Sequence, residues 1–150
     1  MMKTIVFDMD GTIADLYNVT DWLNKLRASD SSPYTDAEPL VAMELFIPLL
    51  NLLKKKGYKI IITSWLSKDS TKEYDKKVRK AKKEWLDNYH IPYDEVHIVK
   101  YGTTKANCTR KYGKCQILVD DNEKVRKGWA LGTTIDANDN IIPLLMKLLA

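Results

Sequence analysis

Cysteine is scarce in this 150-residue chain, which holds two, Cys108 and Cys115. One possible bridge is no disulfide framework, and the spacer between them lacks the close pairs and histidine partners of a zinc site. Both read as free thiols. Histidine is equally rare. Neither His90 nor His97 stands at a spacing that pairs it with a nucleophile or a metal, so both read as structural. Long apolar runs are missing too, with nothing near the roughly 18 residues that cross a bilayer. Met1-Met2-Lys3 leads into a strand-like segment, not into a signal peptide's apolar region. No membrane partner is expected, and cytoplasm is the expected compartment. There is no internal repeat and no low-complexity segment.

What is present is an ordinary globular composition, 45% hydrophobic and 29% charged, which places residues 1–150 together as one domain's worth of chain. The net charge of +4 is uneven: Lys68 to Glu84 carries eight Lys or Arg against four Asp or Glu, which alone gives 8 − 4 = +4. Such a run reads first as the solvated face of a helix. A basic face toward an anionic partner, such as nucleic acid, is the alternative.

Apolar, β-rich runs at Lys3–Phe7, Lys59–Thr63, Val96–Val99, Ile117–Val119 and Thr133–Ile135 predict five strands. Their lack of alternation implies a parallel sheet covered on both faces. Helices fill the gaps. Leu49 to Leu53 precede Lys54-Lys55-Lys56-Gly57, cations and then a glycine at a helix C-terminus. Ser70-Thr71-Lys72-Glu73 has capping-box spacing, and Tyr74, Val78, Ala81, Trp85 and Tyr89 behind it form one stripe of an amphipathic helix. Ile141–Leu149 is a closing helix. The alternation predicts a doubly wound, Rossmann-like α/β fold. Residues 17–39 form a loop-rich, minimal cap-like insertion, with a short helical piece at Asp21–Leu26. In it Tyr17, Trp22 and Tyr34 would pin the loop to the core or stack on a substrate base.

In open parallel sheets, ligands bind beyond the carboxyl ends of the strands. Asp8 and Asp10 follow the first predicted strand, Thr63-Ser64 closes the second, Asp120-Asp121 closes the fourth, and Lys105 lies in the loop after the third. Carboxylates gathered in one crevice repel unless a cation sits among them, and a hard cation such as Mg²⁺ takes oxygen ligands while leaving positions for water and a phosphate. A hydroxyl and a lysine then suit the remaining phosphate oxygens. The chemistry this implies is phosphoryl transfer. An EF-hand does not fit, because Gly11 is fourth from Asp8 and a strand precedes it. Thr63 competes with Ser64 for the hydroxyl role, and Lys105 with Lys100 for the ammonium. Asp15 reads as a turn residue. Trp65 is a candidate for the crevice mouth.

"DMDGT" (8–12), "IIITS" (60–64), Lys105 and "ILVDD" (117–121) resemble, in order and spacing, the four motifs of the haloacid dehalogenase (HAD) superfamily of phosphatases. The resemblance implies Asp8 as nucleophile, forming a phosphoaspartyl intermediate, and Asp10 as general acid and then base. It implies Mg²⁺ held by Asp8, the backbone carbonyl of Asp10 and Asp121, with Asp120 supporting. Thr63 would bind a phosphate oxygen, Lys105 would offset charge, and Gly11 would permit the tight turn. Asp10 argues against a dehalogenase, and the short insertion argues against a mutase. Two branches look nearest: the 5′(3′)-deoxyribonucleotidases, through "TSWLSK", the basic helix and "LVDD", and the phosphatase domain of phage polynucleotide kinase-phosphatases. A short cap implies an open site, and the expected substrate is a nucleotide or nucleic-acid-end phosphate. A phosphoprotein phosphatase and a non-catalytic, phosphate-binding HAD-like module are the alternatives.

Overall fold

The computed structural model describes residues 3–150. Met1 and Met2, read as leading into the first strand, lie outside the described residues. The five runs form one all-parallel sheet in the order β3-β2-β1-β4-β5. The strands are β1 (Lys3–Phe7), β2 (Tyr58–Trp65), β3 (Glu95–Val99), β4 (Gln116–Asp120) and β5 (Gly132–Asp136). The doubly wound α/β expectation therefore holds, with each predicted strand inside an observed one. In β1, Thr4 through Phe7 are fully buried, which is why that run shows no alternation. At the far edge β5 is covered least, and its first three residues are exposed.

The helices are α1 (Trp22–Arg27), α2 (Ser32–Asp36), α3 (Met43–Lys55), α4 (Lys72–Asn88), α5 (Ala106–Thr109), α6 (Glu123–Lys127) and α7 (Ile141–Met146). α3 begins six residues before the predicted Leu49 and carries Pro48 inside it. It ends as expected, at Gly57 with φ +100°, whose N–H bonds Lys54 O. α4 begins one residue later than the capping-box reading. Thr71 is the N-cap, its Oγ1 accepting from Tyr74 N at 3.1 Å, while Ser70 Oγ donates to Asp75. Tyr74, Val78, Ala81 and Trp85 are buried as the stripe predicts, and Tyr89 is partly so.

One core layer, built on Phe7, Phe46, Leu50, Leu53, Ile62, Trp85 and Leu145, lies between the sheet and α3, α4 and α7. The opposite face packs Val6, Ile61 and Leu118 against Ala106, Trp129 and Leu131. Successive strand residues point to opposite faces. Val6 and Ile61 thus fix the direction of Asp8 and Thr63, two residues further on. The 17–39 segment packs through Tyr34, Trp22 and Leu26, with Leu16 just before it, onto Leu66, Tyr74 and Val78. It forms a wall beside the carboxyl ends of β1 and β2.

Candidate active site

After β1 the chain goes out to β2 on one side, and β4 then returns to β1's other edge. The C-terminal ends of β1 and β4 are therefore neighbours at the point where the winding reverses. Phe7 pairs with Val119 and Asp8 N bonds Val119 O at 2.9 Å, which sets Asp8 beside Asp120 and Asp121. Carboxylate oxygens of these three residues lie within 4.8 Å of one another. Lys105, at the start of α5, reaches in from the β3 side. Its Nζ donates to Asp8 Oδ1 at 2.7 Å and to Asp120 Oδ2 at 2.8 Å. Lys105 is 5% exposed. Burial works against its charge, and the two carboxylates more than offset that, so its pKa is raised. Lys100, the competing lysine, is exposed.

The hydrogen bonds divide the carboxylates by availability. Both Asp120 oxygens are engaged, Oδ2 by Lys105 and Oδ1 by Asn122 N at 2.9 Å. Asp8 Oδ2 and Asp121 Oδ1 share only the hydroxyl of Thr12, at 3.1 and 3.4 Å. Three carboxylates against one ammonium leave −3 + 1 = −2, the charge a divalent cation matches. The electrostatics agree: Asp121 and Asp120 are both raised, by burial first and then by neighbouring carboxylates. These residues fit Mg²⁺, with oxygen donors on Asp8 and Asp121 left over after the internal bonds are counted. Gly11 is what lets the loop come this close. It sits at φ +80°, and a Cβ there would collide with Asp121 Oδ2 and lie 2.8 Å from the Tyr17 ring.

Of the two hydroxyls ending β2, Thr63 belongs to the Asp8 face and Ser64 to the α4 face. Both are fully buried. Thr63 Oγ1 has no hydrogen-bond partner, whereas Ser64 Oγ accepts from Lys82 Nζ at 2.7 Å. Lys82 is the residue the sequence reading missed: in the basic run 68–84, read as the solvated face of a helix, it is the buried cation. Its side chain has no exposed surface, and its Nζ also donates to Asp10 Oδ2 at 2.9 Å and to Trp65 O at 2.7 Å. Burial raises Asp10, against the pull of Lys82. Lys72, Lys76, Lys77, Arg79, Lys80 and Lys83 are exposed as predicted. A sign was there to be read. Lys82 stands four residues after Val78 and three before Trp85, on the apolar stripe. Thr12 was the other omission, although it lies inside the quoted motif.

Asp8, Asp10, Lys105, Asp120 and Asp121 line a cleft of about 730 Å³ whose far wall is the insertion. Trp65 lies at this cleft, its Nε1 bonded to Thr103 O at 2.9 Å and its ring 5.1 Å from that of Tyr101. Tyr17 and Trp22 line it as an edge-on pair. Tyr34 lines it too but is buried and pins the 17–39 segment, its hydroxyl 2.6 Å from Ser67 Oγ. Arg27 and Lys68 add cations to the wall. Asp15 makes a turn, accepting from Asn18 Nδ2 at 2.7 Å. His97 pairs with Glu95 at 3.0 Å, and His90 is exposed at φ +57° just past α4. Cys108 is half-buried and Cys115 exposed, and both are free. No helix among the described residues is long and apolar enough to cross a membrane.

No family model matches the chain, and no curated protein matches it by sequence. Solved structures are similar to it, among them the following three. D,D-heptose 1,7-bisphosphate phosphatase from Burkholderia thailandensis superposes with a TM-score of 0.59 at 10% identity, over 99% of each chain. The B. bronchiseptica D,D-heptose 1,7-bisphosphate phosphatase, complexed with magnesium and phosphate, gives 0.56 at 10% identity, covering 98% of this chain and 99% of that one. A chain of the Pnkp1/Rnl/Hen1 RNA repair complex gives 0.59 at 20% identity over 91% of this chain and 42% of that chain. The protein shares its fold with these phosphatases and with part of that repair protein.

Proposed function

We propose that the chain is a single-domain, HAD-type phosphomonoester hydrolase that uses Mg²⁺ and acts through a phosphoaspartyl intermediate, with residues 17–39 as its minimal cap. The observation that carries this reading is the Asp8–Lys105–Asp120 bridge at the switch point, with Asp121 beside it and an oxygen of Asp8 left over. A turn-forming role for "DMDGT" would not explain a buried lysine holding two carboxylates together. Asp8, Asp121 and the Asp10 carbonyl would hold Mg²⁺, which when bound neutralises phosphate charge.

The chain's own residues then have separable tasks. Asp8 attacks phosphorus in line while Lys105 keeps its carboxylate oriented and offsets charge. Asp10 gives a proton to the leaving oxygen as the P–O bond breaks, and later takes one from the water that hydrolyses the phosphoaspartate. Thr63 is the better candidate for a phosphate-binding hydroxyl, because its Oγ1 is uncommitted and on the Asp8 face while that of Ser64 is engaged. Asp120 supports the site through Lys105.

A nucleotide or nucleic-acid-end phosphate suits the cleft. Its volume accommodates a mononucleotide, Tyr17, Trp22 and Trp65 offer aromatic faces, and Arg27 and Lys68 offer cations. The likeness to a chain of an RNA repair complex supports the same class. The exposed lysines of α4 do not belong to the cleft wall, so the attraction for such a substrate rests on the cleft and not on the basic helix. The test is phosphate release, with Mg²⁺ and with EDTA, from 5′- and 3′-mononucleotides, a 3′-phosphorylated oligonucleotide and a phosphopeptide. Mg²⁺-dependent turnover with preference for a nucleotide arm is expected. Preference for the phosphopeptide would transfer the protein to phosphoprotein substrates, and silence on every arm would make it a binding module.

A further inference from the structure

We propose that Lys82 is a positioning residue that holds the Asp10 carboxyl in the orientation its general-acid role requires, an inference that rests on the phosphatase reading above. An ammonium has three N–H donors and no acceptor. All three of Lys82 are matched: Asp10 Oδ2 at 2.9 Å, Ser64 Oγ at 2.7 Å and Trp65 O at 2.7 Å. The side chain is fully buried, and Nζ lies 4.8 Å from the centre of the Tyr34 ring. A buried charge is costly unless paired and hydrogen-bonded, and an apolar residue on this stripe would fill the space at no such cost. What the lysine does that a leucine could not is hold one oxygen of Asp10.

With Oδ2 bound to Lys82, Oδ1 is the Asp10 oxygen left to exchange a proton with the substrate. As the P–O bond breaks, that proton passes from Oδ1 to the leaving oxygen, and the ammonium stabilises the carboxylate that remains. In the second half-reaction the same carboxylate accepts the proton of the attacking water. Ser64 and Trp65, the last two residues of β2, anchor the ammonium from below, so the acid is tied to the strand that carries Thr63. α4 supplies the lysine from a helix whose apolar stripe is locked into the core, which makes the tripod rigid.

The experiment measures first-turnover release of the leaving group by rapid quench, for wild type, Lys82→Met, Asp10→Asn and the double variant. One substrate is a deoxynucleoside monophosphate, whose alcohol must be protonated as it leaves, and the other is p-nitrophenyl phosphate, whose phenolate leaves unaided. Loss of a general acid's contribution predicts that Lys82→Met slows the nucleotide by about 10²-fold and p-nitrophenolate release by less than about fivefold. In the Asp10→Asn background, Lys82→Met adds no further loss. The double variant removes both members of the ion pair, so that comparison decides the matter if Lys82→Met alone fails to fold. Equal slowing of both substrates, or a further loss in the Asp10→Asn background, would overturn the positioning role while leaving the phosphatase intact. A wild type that turns over neither substrate would overturn both.

Discussion

Gly11 shows how much one residue carries at this site. A positive φ is costly for any residue with a side chain, and here the missing Cβ is also the space that Asp121 and Tyr17 occupy. Gly11→Ala is expected to destabilise the protein by about 1–3 kcal/mol and to weaken Mg²⁺ binding together with it. Urea unfolding with and without Mg²⁺ measures both, and an alanine variant of unchanged stability would contradict the packing described. Glu95, at the start of β3, makes a pH prediction. Burial opposes its ionisation, yet bonds from Tyr112, His97 and Lys59 prevail and lower it from 4.5 to about 2. A carboxyl depressed on folding stabilises the native state above its unfolded pKa and loses that contribution as pH falls toward its folded one. Wild type and Glu95→Gln should therefore converge in urea midpoint between pH 4.5 and about 2. Curves that stay parallel would show that these bonds contribute nothing. Lys82 and Thr63 illustrate the limits of reading at this scale. Lysine is counted by charge in a sequence, and only the helix phase set by Tyr74 and Val78 reveals that one of eight cations points inward.

Element by element, strands were easier to read than helix ends. Buried parallel strands are continuous apolar runs, and β1, β2 and β4 were legible for that reason. β2 extends two residues past its predicted end because Ser64 and Trp65 keep the ladder with β3 although neither is aliphatic. α3 starts before its leucines because Phe46 already faces the core. For α4, Ser70 and Thr71 are both able caps, and sequence spacing favoured the wrong one. The structure predicts that Thr71→Ala costs about 1 kcal/mol of stability, the value of a lost N-cap. Ser70→Ala, at a position whose bond is to a side chain, should stay within about 0.5 kcal/mol of wild type. Denaturant midpoints of the two variants measured side by side decide this, and the reverse order would restore the spacing-based cap.

At the scale of the whole molecule, the fold and the acidic half of the site were legible because strand order brings the ends of β1 and β4 together and each end carries aspartates. What sequence order does not encode is which face of a strand meets which helix, and that separates Thr63 from Ser64 and brings Lys82 to Asp10. The uncompensated charge at the switch point also makes a global prediction. A cation that binds only the native state stabilises it by mass action, by about 2.7 kcal/mol at a hundredfold excess over Kd. For a chain of this size that is a rise in Tm of roughly 5–10 °C on adding Mg²⁺, a rise that Asp121→Asn should abolish. A Mg²⁺-independent melt would count against the cation site.

The most direct test of the catalytic claim is acid quench of the wild type and of Asp8→Asn during turnover of a ³²P-labelled phosphomonoester, followed by peptide mapping of protein-bound label. The account predicts label on the peptide holding Asp8 in the wild type, with neither label nor turnover in Asp8→Asn. Turnover that persists in Asp8→Asn, or label on another residue, would contradict it.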